Sequence, residues 1–154
     1  PTSAVFGLGD SDVQVAVGER TESQLLMHLV MTEFMVNVPA SEQGNARFEL
    51  HHRGSIRRTG LACRQRAGTP SLLSRLEAAL TQDQALHHAL MALDFKRLCI
   101  ALDGQQWHVR LEHMGGSEVV SRMPAFRRYI ALSGAQRGAL FDVLAGLHRV
   151  LGAL

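Results

Sequence analysis

The sequence contains almost no lysine and few aromatic residues. Lys96 is the only lysine among 16 basic residues, and aromatic residues make up 5% of the chain. Nucleic-acid-binding surfaces normally combine clustered basic side chains with aromatic rings that stack on bases. The formal net charge is only +2. We therefore expect no nucleic-acid partner.

Long hydrophobic runs are absent as well. No stretch reaches the roughly 18 uncharged apolar residues that a membrane-spanning helix requires. The first residues do not show the basic segment and apolar core of a secretory signal. These absences predict a cytoplasmic protein without a membrane partner.

Cysteines and catalytic motifs are also scarce. The two cysteines, Cys63 and Cys99, lie among apolar neighbours, which is typical of buried reduced thiols. The sequence has no G-x-S-x-G, H-E-x-x-H, P-loop or C-x-x-C pattern. We therefore predict no cofactor and disfavour an enzymatic function without excluding it.

The composition that remains is typical of one globular domain. The chain has 154 residues, of which 46% are apolar and 19% charged. Alternating apolar residues predict strands, and leucine stripes behind Thr69-Pro70, Thr81 and Ser133 predict three helices. The predicted strands are 13–17, 32–38, 47–52, 56–66, 96–102, 106–113 and 126–132. The expected fold is α+β, with an antiparallel sheet of about six strands, helices on one face, and residues 1–12 as a loose arm.

Several local signals determine the expected connections. Thr21-Glu22-Ser23-Gln24 has the spacing of a capping box, which favours a helix to about Val30. A strand is the alternative for residues 24–31, because alternate residues from Leu26 onward are apolar. The polar segment Ser41–Asn45 and the pair Asp103-Gly104 predict hairpin turns. Gly115-Gly116 is expected to end a strand.

Residues 21–80 and 81–151 resemble two copies of one pattern. The first match pairs the motif T-x-x-Q-x-L-x-H in both copies, at Thr21–His28 and Thr81–His88. The strands ending at His52 and His113 then correspond. We therefore predict an internal duplication, helix–hairpin–third strand–helix in each half, with a pseudo-twofold axis.

His52 and His113 are the sharpest site hypothesis. Under the duplication they end equivalent strands on the apolar face, where two imidazoles form a candidate ligand or metal pair, or an acid–base pair with Arg53 or Arg128. The alternative is two histidines hydrogen-bonded at the rim of the core. A metal site requires three or four ligands, and no third ligand is evident.

Five arginines without an intervening acid form a second candidate site. Such a run is typical of an anion-binding or nucleic-acid-binding surface. The alternative is a solvated edge strand that its charge protects from aggregation. The residues are Arg53, Arg57, Arg58, Arg64 and Arg66.

Two segments resemble a family of bacterial proteins of unknown function. They are QLLMHLVMTEF at Gln24–Phe34 and YIALSGAQRGALFDVLAGL at Tyr129–Leu147. The resemblance implies a small bacterial protein without an assigned activity. The size and element order are also similar to type III secretion chaperones, which are typically acidic, whereas this chain is basic.

These observations favour a non-enzymatic domain that binds a protein partner or a small ligand in the concavity of its sheet. The long C-terminal helix either covers the core or forms a homodimer. The alternatives are a small enzyme or metal-binding protein that uses His52 and His113, and an anion or nucleic-acid binder that uses Arg53–Arg66.

Overall fold

The computed structural model describes residues 4–9 and 12–154. Within them, six strands and three helices follow one another along the chain. They are β1 Ala4–Gly7, β2 Gln14–Gln24, β3 Met27–Arg53, β4 Gly60–Ala67, α1 Pro70–Gln82, α2 Gln84–Ala92, β5 Phe95–Arg122, β6 Ala125–Ile130 and α3 Gly134–Ala153.

The two long strands β3 and β5 form a central antiparallel ribbon. Their pairing extends from Met27 opposite Ser121 to Leu50 opposite Leu98. The first half of β3 also pairs with β2, and its last residues pair with β4. β1 lies outside β2, and β6 pairs with the end of β5. The expected antiparallel sheet of about six strands is confirmed.

Two bends interrupt the ribbon where turns were predicted. The register shifts between Pro39 and Gly44, which lie opposite Gln106 and Gly104. The hairpins predicted at Ser41–Asn45 and at Asp103-Gly104 are therefore wrong, because both segments lie inside continuous strands. Since the two turn signals face each other, they produce one shared bend, as unpaired residues do in a bulge. Gly104 still has a φ of +63°.

A second bend lies near Met31, where the register shifts between Val30 and Thr32. The facing segment of β5 contains Gly115-Gly116. The prediction that these glycines end the strand is wrong, because β5 continues to Arg122. β5 therefore has extra residues opposite Met31. Gly116 allows the backbone to turn there, because its φ of +79° is a conformation that glycine adopts easily.

The bends curl the sheet so that its two ends meet. Glu22 lies opposite Leu29 on one end of β3, whereas Leu50 marks the other end of the ribbon. A straight strand would separate Leu29 from Leu50 by about 70 Å. Nevertheless, Lys96 Nζ lies 2.7 Å from Glu22 Oε2. Lys96 is only two residues before Leu98, the partner of Leu50.

The helices cover the apolar face of this curled sheet. The alternation predicted for 32–38, 47–52, 96–102 and 106–113 is confirmed, because the apolar side chains of these segments are buried together. The buried leucines of the three helices join the same core. They are Leu76, Leu80, Leu86, Leu90, Leu140, Leu144, Leu147 and Leu151. None of the described helices is long and apolar enough to cross a membrane.

The predicted starts of α1 and α3 are confirmed. The Thr69 hydroxyl accepts a hydrogen bond from Leu72 N, and the Ser133 hydroxyl accepts one from Gln136 N. Both satisfy backbone donors that a helix start leaves free. α2 begins at Gln84 with Asp83 as its cap, not at Thr81.

The helix predicted for residues 21–30 is wrong. β2 continues to Gln24, Leu25-Leu26 forms a turn, and β3 begins at Met27. The strand alternative applies because this segment pairs with neighbours on two sides, with Val30 between Thr21 and Glu118. Strand pairing satisfies the backbone N–H and C=O groups along the whole segment, whereas a capping box would satisfy only those at a helix start.

The duplication is not confirmed. Thr21–His28 lies in strands and a turn, whereas the matched segment Thr81–His88 is mostly helical. The arm expected at residues 1–12 contains the edge strand β1, paired with β2. Residues 1–3, 10 and 11 of the predicted arm lie outside the described residues.

Candidate anion-binding site

The face of the ribbon opposite the helices carries a polar cavity of about 160 Å³. Its lining comes from both halves of the ribbon, on either side of the bend at residues 39–44, and from β2. We call it the arginine cavity. Its lining residues are Arg20, Glu33, Arg47, Arg97, Cys99, Arg110 and Glu112.

Strand alternation places these side chains on one face. The apolar residues of β3 and β5 face the helices, so the intervening residues face the other way. Residues that lie directly opposite each other share a face. Glu33 lies opposite Glu112, and Glu49 lies opposite Cys99.

Two carboxylates in the arginine cavity are already balanced by arginines. Glu112 is only 3% exposed, and its Oε1 lies 2.5 Å from Arg20 Nη1. Glu33 Oε1 lies 3.9 Å from Arg110 Nη1. Burying a carboxylate is costly unless it is paired, so Arg20 is held in place by Glu112.

Two arginines of the cavity remain available. Arg47 and Arg97 form no ion pair with any carboxylate of residues 4–9 and 12–154. A hydrogen bond to Cys99 raises the pKa of Arg97 further above its ordinary value, so this side chain stays charged. The cavity therefore presents two guanidinium groups that have no ion-pair partner among the described residues.

The two cysteines differ in surroundings. Both are free and partly buried, which confirms the expected free thiols but not their full burial. Cys99 lines the arginine cavity. Burial, with a contribution from the Glu77 charge, raises the pKa of Cys63 to about 11.

The five arginines predicted as an anion site have separate surroundings. Arg58 donates to Met91 O and pairs with the Asp94 carboxylate. Arg66 pairs with Glu49 at 3.1 Å, and Arg64 lies opposite Glu49 on β4. Arg64 and Arg66 are therefore both close to the Glu49 carboxylate.

The other two members of that group lie apart. Arg53 ends β3 and lines a cavity of about 120 Å³ that also contains Glu77 and His87. Arg57 is exposed in the loop between β3 and β4. The structure therefore distributes these five cations over a strand edge and a loop.

His52 is placed beside the end of α2. Its Nε2 lies 2.8 Å from Leu90 O, and its ring contacts Phe95 with a centroid distance of 4.3 Å. A helix end leaves carbonyls without intrahelical partners, and His52, Arg58 and Gln136 bind three of them. Burial lowers the pKa of His52 below its ordinary value.

His113 is held by Gly115 of its own strand and by Gln136 at the start of α3. Its Nδ1 accepts a hydrogen bond from Gly115 N at 2.7 Å. Its Nε2 lies 2.8 Å from Gln136 Oε1, which also accepts from Asp94 N. Nε2 therefore carries the proton, and neither nitrogen keeps a free lone pair.

The two histidines do not hydrogen-bond to each other. The Gln136 amide connects His113 to Ala92 O, and Leu90 O binds His52. No group of three or more potential metal-ligating His, Cys, Asp or Glu side chains occurs in the described part of the chain. These contacts favour the alternative in which both histidines hold the fold together.

The arginine cavity could not be identified from the amino-acid sequence. Its one local signal is alternation, as in His108-x-Arg110-x-Glu112, where polar residues occupy every second position of a strand. The pattern indicates a polar face but not which strands are neighbours. Only the curl brings Arg47 and Arg97 to the same cavity as Arg110.

The chain matches a known protein family. A family model described as "Protein of unknown function (DUF3156)" matches residues 1–151. This match confirms the resemblance to a family of unknown function that rests on Gln24–Phe34 and Tyr129–Leu147. No curated protein and no solved structure matches the chain.

Proposed function

Because the chain belongs to DUF3156, a family of unknown function, we propose a function from its geometry: it binds a small organic anion in the arginine cavity and does not react with it. The observation that carries this proposal is the excess of cationic groups. Four arginines face two glutamates there, and the two glutamates already have partners.

Guanidinium groups suit this role. Their planar fork donates two parallel hydrogen bonds to a carboxylate or phosphate. Arg47 lies on β3 and Arg97 on β5, so an anion between them would join the two strands of the ribbon. The cavity volume of about 160 Å³ accommodates one carboxylate or phosphate group and little more.

An adjoining groove offers space for the rest of such a ligand. It measures about 410 Å³ and shares Arg110 with the arginine cavity. Met35 contributes an apolar surface, and Asn37 and His108 form a hydrogen bond of 2.7 Å at its side. This arrangement favours a small carboxylated or phosphorylated organic molecule.

The cavity lining supports binding without catalysis. Cys99 is its one nucleophilic side chain, and no histidine is part of the lining. Nucleophilic catalysis by cysteine normally relies on an adjacent base. The free thiols also favour a cytoplasmic location, which remains part of this proposal.

Calorimetric titration with inorganic phosphate, pyrophosphate and citrate tests the proposal. We expect at least one of these probes to bind, and Arg47→Gln and Arg97→Gln to weaken that binding about tenfold or more each, because each removes a charge-assisted hydrogen bond. Arg137→Gln is the matched control, since Arg137 is exposed on α3. Equal affinity losses in all three variants, or no binding by the wild-type protein, would contradict the proposal.

A further inference from the structure

One end of the sheet extends beyond the core. It consists of residues 21–30 of β2 and β3 and residues 117–130 of β5 and β6, which we call the distal sheet. Neither segment contributes a side chain to the hydrophobic core cluster. Each row across the distal sheet runs through four strands, as in Gln24, Met27, Ser121 and Phe126.

Two turns at the edge of the distal sheet are apolar and exposed. Leu25-Leu26 connects β2 to β3, and Met123-Pro124 connects β5 to β6. The turns are neighbours, because Arg122 N donates to Leu26 O at 2.9 Å. Turns at such positions normally contain glycine, asparagine or aspartate.

The degree of exposure shows that these side chains lack a partner within the described chain. Leu25 is 97% exposed and Met123 is 74% exposed. Phe126, which follows the second turn on β6, is 48% exposed. Exposed apolar side chains gathered at two adjacent turns mark an interaction surface.

Basic side chains lie directly behind the apolar turns. Arg127 is neutralised by Glu118, and the acid Glu22 is neutralised by Lys96. Arg122 donates to His28 Nε2 at 3.0 Å and has no carboxylate partner among the described residues. Arg128 is exposed and also forms no ion pair in this part of the chain. The distal sheet is therefore positive next to its apolar tip.

We propose that the distal sheet docks on an anionic lipid bilayer. The side chains of Leu25, Leu26, Met123 and Phe126 enter the boundary between headgroups and acyl chains, and Arg122 and Arg128 bind lipid phosphates. Arg128 lies two residues behind Phe126, about 7 Å along the strand. That spacing matches the depth of about 5–10 Å at which surface-bound apolar side chains lie.

The shape and charge of the tip favour a bilayer over a second copy of the chain. The most exposed apolar residues occupy projecting turns instead of a flat face, so two copies would bury little area against each other. The uncompensated arginines suit an anionic surface and would repel the same arginines of a second copy. This proposal departs from the expectation of no membrane partner, which rested on the absence of a membrane-spanning segment and of a secretory signal; a shallow insertion requires neither.

Co-sedimentation with lipid vesicles tests this proposal. The wild-type chain is mixed with phosphatidylcholine vesicles or with vesicles that also contain phosphatidylglycerol. We expect binding to the anionic vesicles and weak or no binding to the zwitterionic ones. The double variant Leu25→Ser/Met123→Ser should lower the partition coefficient about tenfold or more, and Arg122→Gln/Arg128→Gln should lower it about fivefold per arginine.

Matched controls separate the tip from general hydrophobicity and charge. Ile56→Ser removes an apolar side chain that is 100% exposed elsewhere, and Arg57→Gln/Arg137→Gln removes two exposed charges outside the distal sheet. Neither should change the partition coefficient by more than about twofold if the tip inserts specifically. Circular dichroism verifies that each variant is folded.

Other results would overturn the proposal. They are no binding to anionic vesicles, or equal losses in the tip and control variants. Light scattering supplies a further test: if the wild-type chain forms a dimer that Leu25→Ser/Met123→Ser dissociates, the occupant of the tip is a second copy.

Discussion

Glu33 and Glu112 lie directly opposite each other on β3 and β5, so two carboxylates share one face of the ribbon beside the arginine cavity. Like charges in directly opposite positions destabilise a sheet. Arg20 and Arg110 offset this repulsion by pairing with Glu112 and Glu33. The stability of this polar face therefore depends on both arginines remaining paired with the two glutamates.

Removing Arg20 should destabilise the protein. Arg20→Ala leaves the buried Glu112 carboxylate without its partner, so we expect the free energy of unfolding to fall by about 1–3 kcal/mol. The double variant Arg20→Ala/Glu112→Gln should lose less than the sum of its single variants, because the unpaired charge is then absent. Urea denaturation of the four proteins measures this coupling.

Arg127→Ala is the control for this cycle. Its side chain is 72% exposed and pairs with Glu118, and exposed pairs of this type contribute up to about 1 kcal/mol. Strict additivity of Arg20→Ala and Glu112→Gln would show that the buried pair has no special role.

The stability of the protein should depend on pH through His52. Burial lowers the pKa of His52 in the folded state below its ordinary value of 6.5, so the fold favours the neutral ring. This contribution is complete above about pH 6.5 and is lost as the pH falls from there towards the lower folded pKa. Urea midpoints at about pH 7.5 and about pH 5 should therefore differ less for His52→Gln than for the wild-type protein.

His88 provides the comparison for that experiment. It is exposed on α2, so His88→Asn should keep the wild-type difference between the two midpoints. If His52→Gln retains the full pH dependence, another group is responsible for it.

The two thiols should react at different rates. Because burial raises the pKa of Cys63 to about 11, its thiolate fraction is about one in a thousand at pH 8. Cys99 lines the open arginine cavity. Iodoacetamide should therefore modify Cys99 first, as mass spectrometry of peptides would show, and a bound anion should slow that reaction. Cys63→Ser and Cys99→Ser assign the signals, and faster modification of Cys63 would contradict this expectation.

Two glycines of α3 should respond to alanine in opposite directions. A Cβ atom at Gly146 would lie 2.8 Å from Leu86 Cδ1 and 3.2 Å from Leu86 Cβ, whereas a Cβ at Gly138 has no atom within 4 Å. Gly146→Ala should lower the free energy of unfolding by about 1–3 kcal/mol through overpacking. Gly138→Ala should raise it by up to about 1 kcal/mol, because alanine favours the helix.

Thermal or urea denaturation distinguishes these two effects. Both variants add the same methyl group to the same helix, so the difference between them isolates the close approach of α2 and α3. Equal shifts in stability would mean that Leu86 moves aside without cost.

The parts of the fold that were predicted depend on neighbours in the sequence. Thr69 and Ser133 cap their helices as expected, since each hydroxyl reaches a backbone N–H three residues later. The alternation of Trp107, Val109 and Leu111 predicts the buried face of β5 in the same way, because successive side chains of a strand point to opposite faces.

The candidate site could not be predicted by such rules. Arg47 and Arg97 are 50 residues apart in number, and nothing between them indicates that they share a cavity. The capping-box pattern at Thr21 was misleading for the same reason: a local preference of this kind is weaker than the strand pairing available to residues 21–30 on both sides.

The amino-acid sequence alone determined which side chains are buried in the core segments of β3 and β5, where α1 and α3 begin, and the membership of a family without an assigned function. The tertiary structure decided that Ser41–Asn45 and Asp103-Gly104 form one shared bend, and that this bend, together with the curl, brings arginines from three strands around the buried carboxylate of Glu112. Capping and alternation depend on atoms a few residues apart, whereas strand register and curvature depend on contacts between residues that are distant in the chain.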